Sequence, residues 1–63
     1  MTIKKYIKET RNALGLTQAR FGEELGVKRV TVTNYELGNC EPGLSVFIKI
    51  MKIRSNLGMK ALP

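Results

Sequence analysis

Glycine sets the punctuation of this chain, and with it the range of folds open to it. Glycines at 15, 26 and 38, the pair Pro42-Gly43 and Gly58 cut the 63 residues into four pieces of helical length. Glycine interrupts helices and lets the backbone turn sharply. Between these interruptions apolar residues recur at spacings of three and four rather than two, as in helices that bury one face. A chain of 63 residues supports one small core. The expectation is a single all-α domain over residues 1–63, a compact bundle of four to five helices.

In the first piece Ile3, Tyr6, Ile7, Arg11 and Leu14 share a helical stripe, which Gly15 closes. Thr17 suits the N-cap of a second helix that runs to Leu25 and buries Phe21 and Leu25. The third piece, Lys28 to about Leu37, contains Val30-Thr31-Val32-Thr33, which by propensity alone favours a strand. The stripe of Val27, Val32 and Tyr35, bracketed by Gly26 and Gly38, predicts one short helix instead. Asn39 to Gly43 reads as a loop, and a fourth helix starts near Leu44 and ends between Ile53 and Leu57.

An apolar fraction of 43% is ordinary for a folded chain. Eleven Lys and Arg against five acids give a net charge of +6. On so small a body this attracts a polyanion, nucleic acid first and an anionic membrane second, while a merely solvated basic surface is the plain alternative. A membrane-surface peptide fits poorly, because the apolar residues suit one compact core and glycine breaks every helix. The longest apolar stretch, Val46 to Ile53, is interrupted by Lys49 and Lys52, so nothing spans a bilayer. The opening MTIKKY lacks the apolar centre of a signal peptide, which predicts a cytoplasmic, nucleoid-associated protein. The lone Cys40 excludes an internal disulfide and reads as an ordinary loop thiol. Without histidine, a Cys/His cluster, an activated nucleophile or a glycine-rich phosphate loop, no enzyme, metal, cofactor or small-molecule ligand is expected.

The densest pattern is QARFGEELGVKRVTVTNYEL, Gln18 to Leu37. A tight turn between two steeply crossed helices needs a residue free to take positive φ, which Gly26 supplies. Close approach of the two helices needs a small residue four positions earlier, which Gly22 supplies. With LGLTQ before it (Leu14 to Gln18), NYELG at its end (Asn34 to Gly38) and Glu41-Pro42 beyond, the stretch resembles the helix-turn-helix of the lambda-type phage repressor and Cro family, also called the xenobiotic-response-element family. The resemblance covers roughly Ile7 to Met51. It implies a bacterial or phage transcriptional regulator, repressor or Cro-like, that binds double-stranded DNA as a homodimer on inverted repeats.

Some positions depart from the family's phrasing. Lys28 stands where Ser or Thr usually caps the recognition helix, and Arg20 replaces the Glu or Gln of a capping box with Thr17. Gly22 stands where Ala is commoner, at a helix cost of up to about 1 kcal/mol. The family's small fifth helix is hard to find in RSNLGMKALP.

Arg29, Val30, Thr33 and Asn34 lie on the face of the third helix away from Val32 and Tyr35. A helix in the major groove presents such a face to base edges, Arg to guanine, Asn to adenine, Val to a thymine methyl. The resemblance places base readers at Arg29, Val30 and Asn34, and a phosphate grip at Gln18, where first-turn amides and the helix dipole favour an anion. Lys28, Asn39 and the Gly43 amide are further phosphate candidates. Arg11, on a core-facing stripe, either snorkels over Ile7 or needs a partner; the resemblance points to Glu36. Val46, Phe47, Ile48, Ile50, Met51 and Ile53 make the fourth helix apolar over more than one face. That surplus, with Ile53, Leu57, Met59 and Leu62, is the expected dimer seam. A DNA-binding antitoxin or controller that also grips a protein partner is the alternative.

Overall fold

The computed structural model describes residues 2–59. Its elements are α1 (Ile3–Leu14), α2 (Gln18–Leu25), α3 (Arg29–Leu37) and α4 (Leu44–Asn56), with no strand among the described residues. The all-helical expectation holds, including α3, where β-branched propensity pointed the other way. Propensity spans only about 1 kcal/mol, and burial of Val32 and Tyr35 three residues apart on one face decides the conformation.

Local sequence fixes each helix end. The Thr2 hydroxyl accepts from the Lys5 amide at 3.3 Å to start α1, and the Thr17 hydroxyl accepts from the Arg20 amide at 3.1 Å to start α2. Lys28 and Gly43 occupy the N-cap positions of α3 and α4 and supply no side-chain cap, so the first-turn amides of both helices lack side-chain acceptors.

The turn between α2 and α3 is held by two glycines in different ways. Gly26 takes φ 75°, a left-handed conformation that costs other residues steric strain. Gly22 is buried inside α2, and a Cβ there would stand 2.7 Å from the Val27 carbonyl oxygen. The small residue makes room for the backbone of the turn and of the first residue of α3, whose Arg29 nitrogen would stand 3.5 Å from that Cβ. The Val27 amide returns to the Gly22 carbonyl at 2.8 Å and locks the approach.

Tyr6, Ile7, Phe21, Leu25, Val32, Tyr35 and Ile50 form the core, with contributions from all four helices. α3 packs on α2 and α1, and α4 closes the bundle against α1 and α2. Phe47 meets Tyr6 with ring centroids 5.5 Å apart, within the range of favourable aromatic pairs.

A buried cation completes the α1–α4 joint. Arg54, 2% exposed, lies with its guanidinium carbon 4.2 Å from the Tyr6 ring centroid. It donates to the Thr10 hydroxyl at 2.9 Å and meets the Glu9 carboxylate at 3.1 Å, while Thr10 donates onward to the Tyr6 carbonyl at 2.7 Å. Sequence reading passed over Arg54, although it follows Phe47 by seven residues and Ile50 by four and so lies on their stripe.

The fourth helix also corrects the expected seam. Val46, Phe47 and Ile53 pack against the core, so Ile53 is not free to join a second subunit fully. The exposed apolar residues of this region are Leu44, Ile48, Met51 and Leu57, the first three at spacings of four and three on one face. Met59 is half-buried, and Leu62 lies outside the described residues.

Candidate nucleic-acid interface

The inner face of α3 is spent on the core through Val32 and Tyr35, which leaves its opposite face to solvent. Arg29 is exposed and its side chain has no partner among the described residues. Val30 beside it is 54% exposed, an apolar surface next to an unpaired guanidinium. Lys28 is exposed just ahead of them, at the uncapped start of the helix, where the dipole adds positive potential.

Behind this face lies a polar joint of three helices. Arg11 of α1 grips Glu36 of α3 through two prongs, Nε to Oε2 at 2.7 Å and Nη2 to Oε1 at 3.1 Å. Its Nη1 also donates to the Leu16 carbonyl at 2.9 Å, so the guanidinium ties α1, the loop after it and α3 together. The side chains of Arg11 and Glu36 are 15% and 6% exposed, so Arg11 turns inward and does not snorkel to solvent. A hydrogen bond to Glu36 holds the Arg11 guanidinium above its ordinary pKa, against the opposing effect of burial. Burial pushes the Glu36 carboxyl up. Hydrogen bonds from Arg11 and Gln18, with the charges of Arg11 and Lys8, outweigh it and hold the group below the usual carboxylate value.

Gln18 belongs to the same joint. Its amide nitrogen donates to Glu36 Oε1 at 3.1 Å, and its amide oxygen accepts from the Thr33 hydroxyl at 2.7 Å. The sequence placed Gln18 on phosphate and Thr33 on a base; the two side chains are engaged with each other. Asn39 and Asn34, expected on phosphate and base respectively, are likewise joined, Asn39 Nδ2 donating to Asn34 Oδ1 at 3.2 Å. No periodicity in the sequence signals either pairing: the first depends on how α2 is rotated against α3, the second on the turn at Gly38 that brings the Asn39 amide back to the Asn34 carbonyl at 3.0 Å.

Gly43 is the exposed N-cap of α4, and no side chain among the described residues caps the amides that follow it. Lys49 donates to the Leu25 carbonyl at 3.3 Å and so closes the C-terminal end of α2. Cys40 is an exposed free thiol. Among the described residues no three His, Cys, Asp or Glu side chains gather as a metal site, and no helix is long and apolar enough to cross a membrane.

Comparison with known proteins bears on this geometry. The chain is 40% identical over 50 residues, 79% of its own length and 76% of the other, to YgzD of Bacillus subtilis (strain 168), described as an uncharacterized HTH-type transcriptional regulator. No solved structure matches it. A family model described as helix-turn-helix matches residues 7–53, from the first turns of α1 through the Gly26 turn and into α4. The chain belongs to the lambda repressor/Cro-like helix-turn-helix family.

Proposed function

We propose that this protein is a sequence-specific reader of double-stranded DNA and acts as a small transcriptional regulator of the repressor or Cro type. The observation that carries the reading is the start of α3. Arg29 and Val30 stand exposed and uncommitted there, while the opposite face of the helix is clamped by the core and by Arg11, Glu36 and Gln18. A rigid helix with a free guanidinium and an adjoining apolar patch suits guanine O6/N7 beside a thymine methyl in the major groove. Asn34, further along the same face, accepts from Asn39 with its amide oxygen and keeps its amide N–H groups for a third base. The net charge of +6, with Lys28 and the uncapped amides after Gly43, supports phosphate contacts on either side of the groove. The description of YgzD as a transcriptional regulator agrees with this role.

One such reader spans too few base pairs to choose a site in a genome, so two copies pair across a twofold axis on inverted half-sites about one helical turn, ~34 Å, apart. The exposed Leu44, Ile48, Met51 and Leu57 supply an apolar face for that pairing. With DNA as its partner, the protein works in the cytoplasm.

The test is Arg29→Ala, measured by fluorescence anisotropy on a duplex selected from a random library and on unrelated duplex. The expected loss is roughly 1–3 kcal/mol on the selected site and much less on the other. Equal losses on both would reduce Arg29 to a phosphate contact and refute base reading by this face.

A further inference from the structure

Thr33 sits on the groove-facing side of α3, but its hydroxyl is directed sideways into the three-helix joint. A hydroxyl has one proton to give. Its shortest acceptor is Gln18 Oε1 at 2.7 Å, with the Arg29 carbonyl next at 3.1 Å. No proton remains for an acceptor on a base edge.

The Gln18 amide is thereby held at both ends, at its nitrogen by a group that can only accept. The ionised Glu36 carboxylate accepts only, so it faces the amide nitrogen; the Thr33 hydroxyl donates to the amide oxygen. A flipped amide would set its oxygen against the carboxylate and lose that bond, and the Thr33 hydroxyl would have to turn its proton to the Arg29 carbonyl and accept instead. One orientation is therefore selected chemically, and Arg11 holds Glu36 in place from behind. An amide nitrogen carries two N–H groups. One is on Glu36, and the second has no partner among the described residues. It lies on the first residue of α2, beside first-turn amides that the helix leaves unpaired.

We propose that Thr33 is a positioning residue, not a base reader: it locks the Gln18 amide so that its second N–H is presented, already oriented, to a phosphate oxygen of the DNA. The inference rests on the reading of α3 given above. Ordering Gln18 before binding removes the entropy of ordering it during binding. The effect is on affinity for any duplex, since phosphate carries no sequence information.

The experiment compares Thr33→Val, Thr33→Ser, Gln18→Ala and the double variant Thr33→Val/Gln18→Ala with the wild type. Each is titrated by anisotropy against the selected duplex, its single-base-pair variants and an unrelated duplex, with thermal unfolding in parallel. Thr33→Val should weaken binding about threefold to tenfold on every duplex, the scale of one hydrogen bond. Thr33→Ser should restore it, and in the Gln18→Ala background Thr33→Val should cost nothing further. A changed preference at one base pair would make Thr33 a reader and overturn the proposal. Unchanged affinity with a lowered unfolding temperature would overturn it too, leaving a structural role alone. If the wild type prefers no duplex over another, the reading of α3 fails and takes this inference with it; if discrimination is intact but indifferent to Thr33, only the positioning role falls.

Discussion

The Arg11–Glu36 pair is the interaction whose removal the structure prices most closely. Surface ion pairs contribute about 0–1 kcal/mol, and breaking a fully buried one costs about 3–5 kcal/mol. With side chains 15% and 6% exposed, this pair lies nearer the buried case. Arg11→Met leaves the Glu36 carboxylate almost buried with only the Gln18 amide for a partner, a loss of roughly 2–3 kcal/mol. Glu36→Gln is milder, about 1–2 kcal/mol, because a neutral oxygen still accepts from Arg11 and Arg11 retains the Leu16 carbonyl. The double variant should lose less than the sum, with a coupling of about 2 kcal/mol in a double-mutant cycle. In a domain this small each kcal/mol moves the unfolding midpoint by about 4–8 °C, so Arg11→Met should lower it by roughly 10–20 °C. Circular dichroism during thermal and urea unfolding reads all four corners.

The pH dependence follows with its sign. The folded Glu36 carboxyl lies below its ordinary value, so its stabilisation is complete above the unfolded value of about 4.3 and disappears as pH falls through the lower folded value. The difference between wild type and Glu36→Gln should therefore be flat near neutrality and shrink in acid below about pH 4. Strictly additive single losses, or a difference independent of pH in that range, would refute the argument.

Two further outcomes are expected. Gly22→Ala, which helix propensity alone would make stabilising by about 1 kcal/mol, should lower the urea midpoint because its Cβ meets the Val27 carbonyl at 2.7 Å; a raised midpoint would mean that the turn yields freely. Analytical ultracentrifugation should find two proteins per palindromic duplex, and Ile48→Glu should abolish that pairing while sparing half-site affinity; one wild-type protein per palindrome, bound no more tightly than to a half-site, would refute the dimer.

Much of the fold was legible because the features that fix it are local. Gly15, Gly26 and Gly38 mark helix ends by backbone conformation, and Thr17 announces a cap through chemistry spanning three residues. Arg11 was conspicuous as a charge on an apolar stripe. Arg54 occupies the same kind of position on α4 but follows Lys49 and Lys52, and among neighbouring cations its place on the buried stripe was easy to overlook. The Thr33–Gln18 and Asn34–Asn39 contacts were not legible at all. The first arises where α2 faces α3, and the helical repeat of either piece is silent on their relative rotation; the second arises at the C-terminal turn of α3, outside any helical repeat. Ile53 illustrates the same limit: its apolar character was plain, but whether it met this core or another surface depended on how α4 rolls on α1.

Arg54 has a consequence for reach. An apolar stripe can slide by a residue and still be buried; a guanidinium that must find the Tyr6 ring, the Thr10 hydroxyl and the Glu9 carboxylate together cannot. The joint works as a key, allowing α4 one roll angle and one height along α1. That angle decides where the outward stripe of Leu44, Ile48 and Met51 points. In a twofold pair, the direction of that stripe sets the distance between the two α3 helices. For the proposed dimer, the tolerated spacing of half-sites would thus be set in part by a side chain buried between α1 and α4.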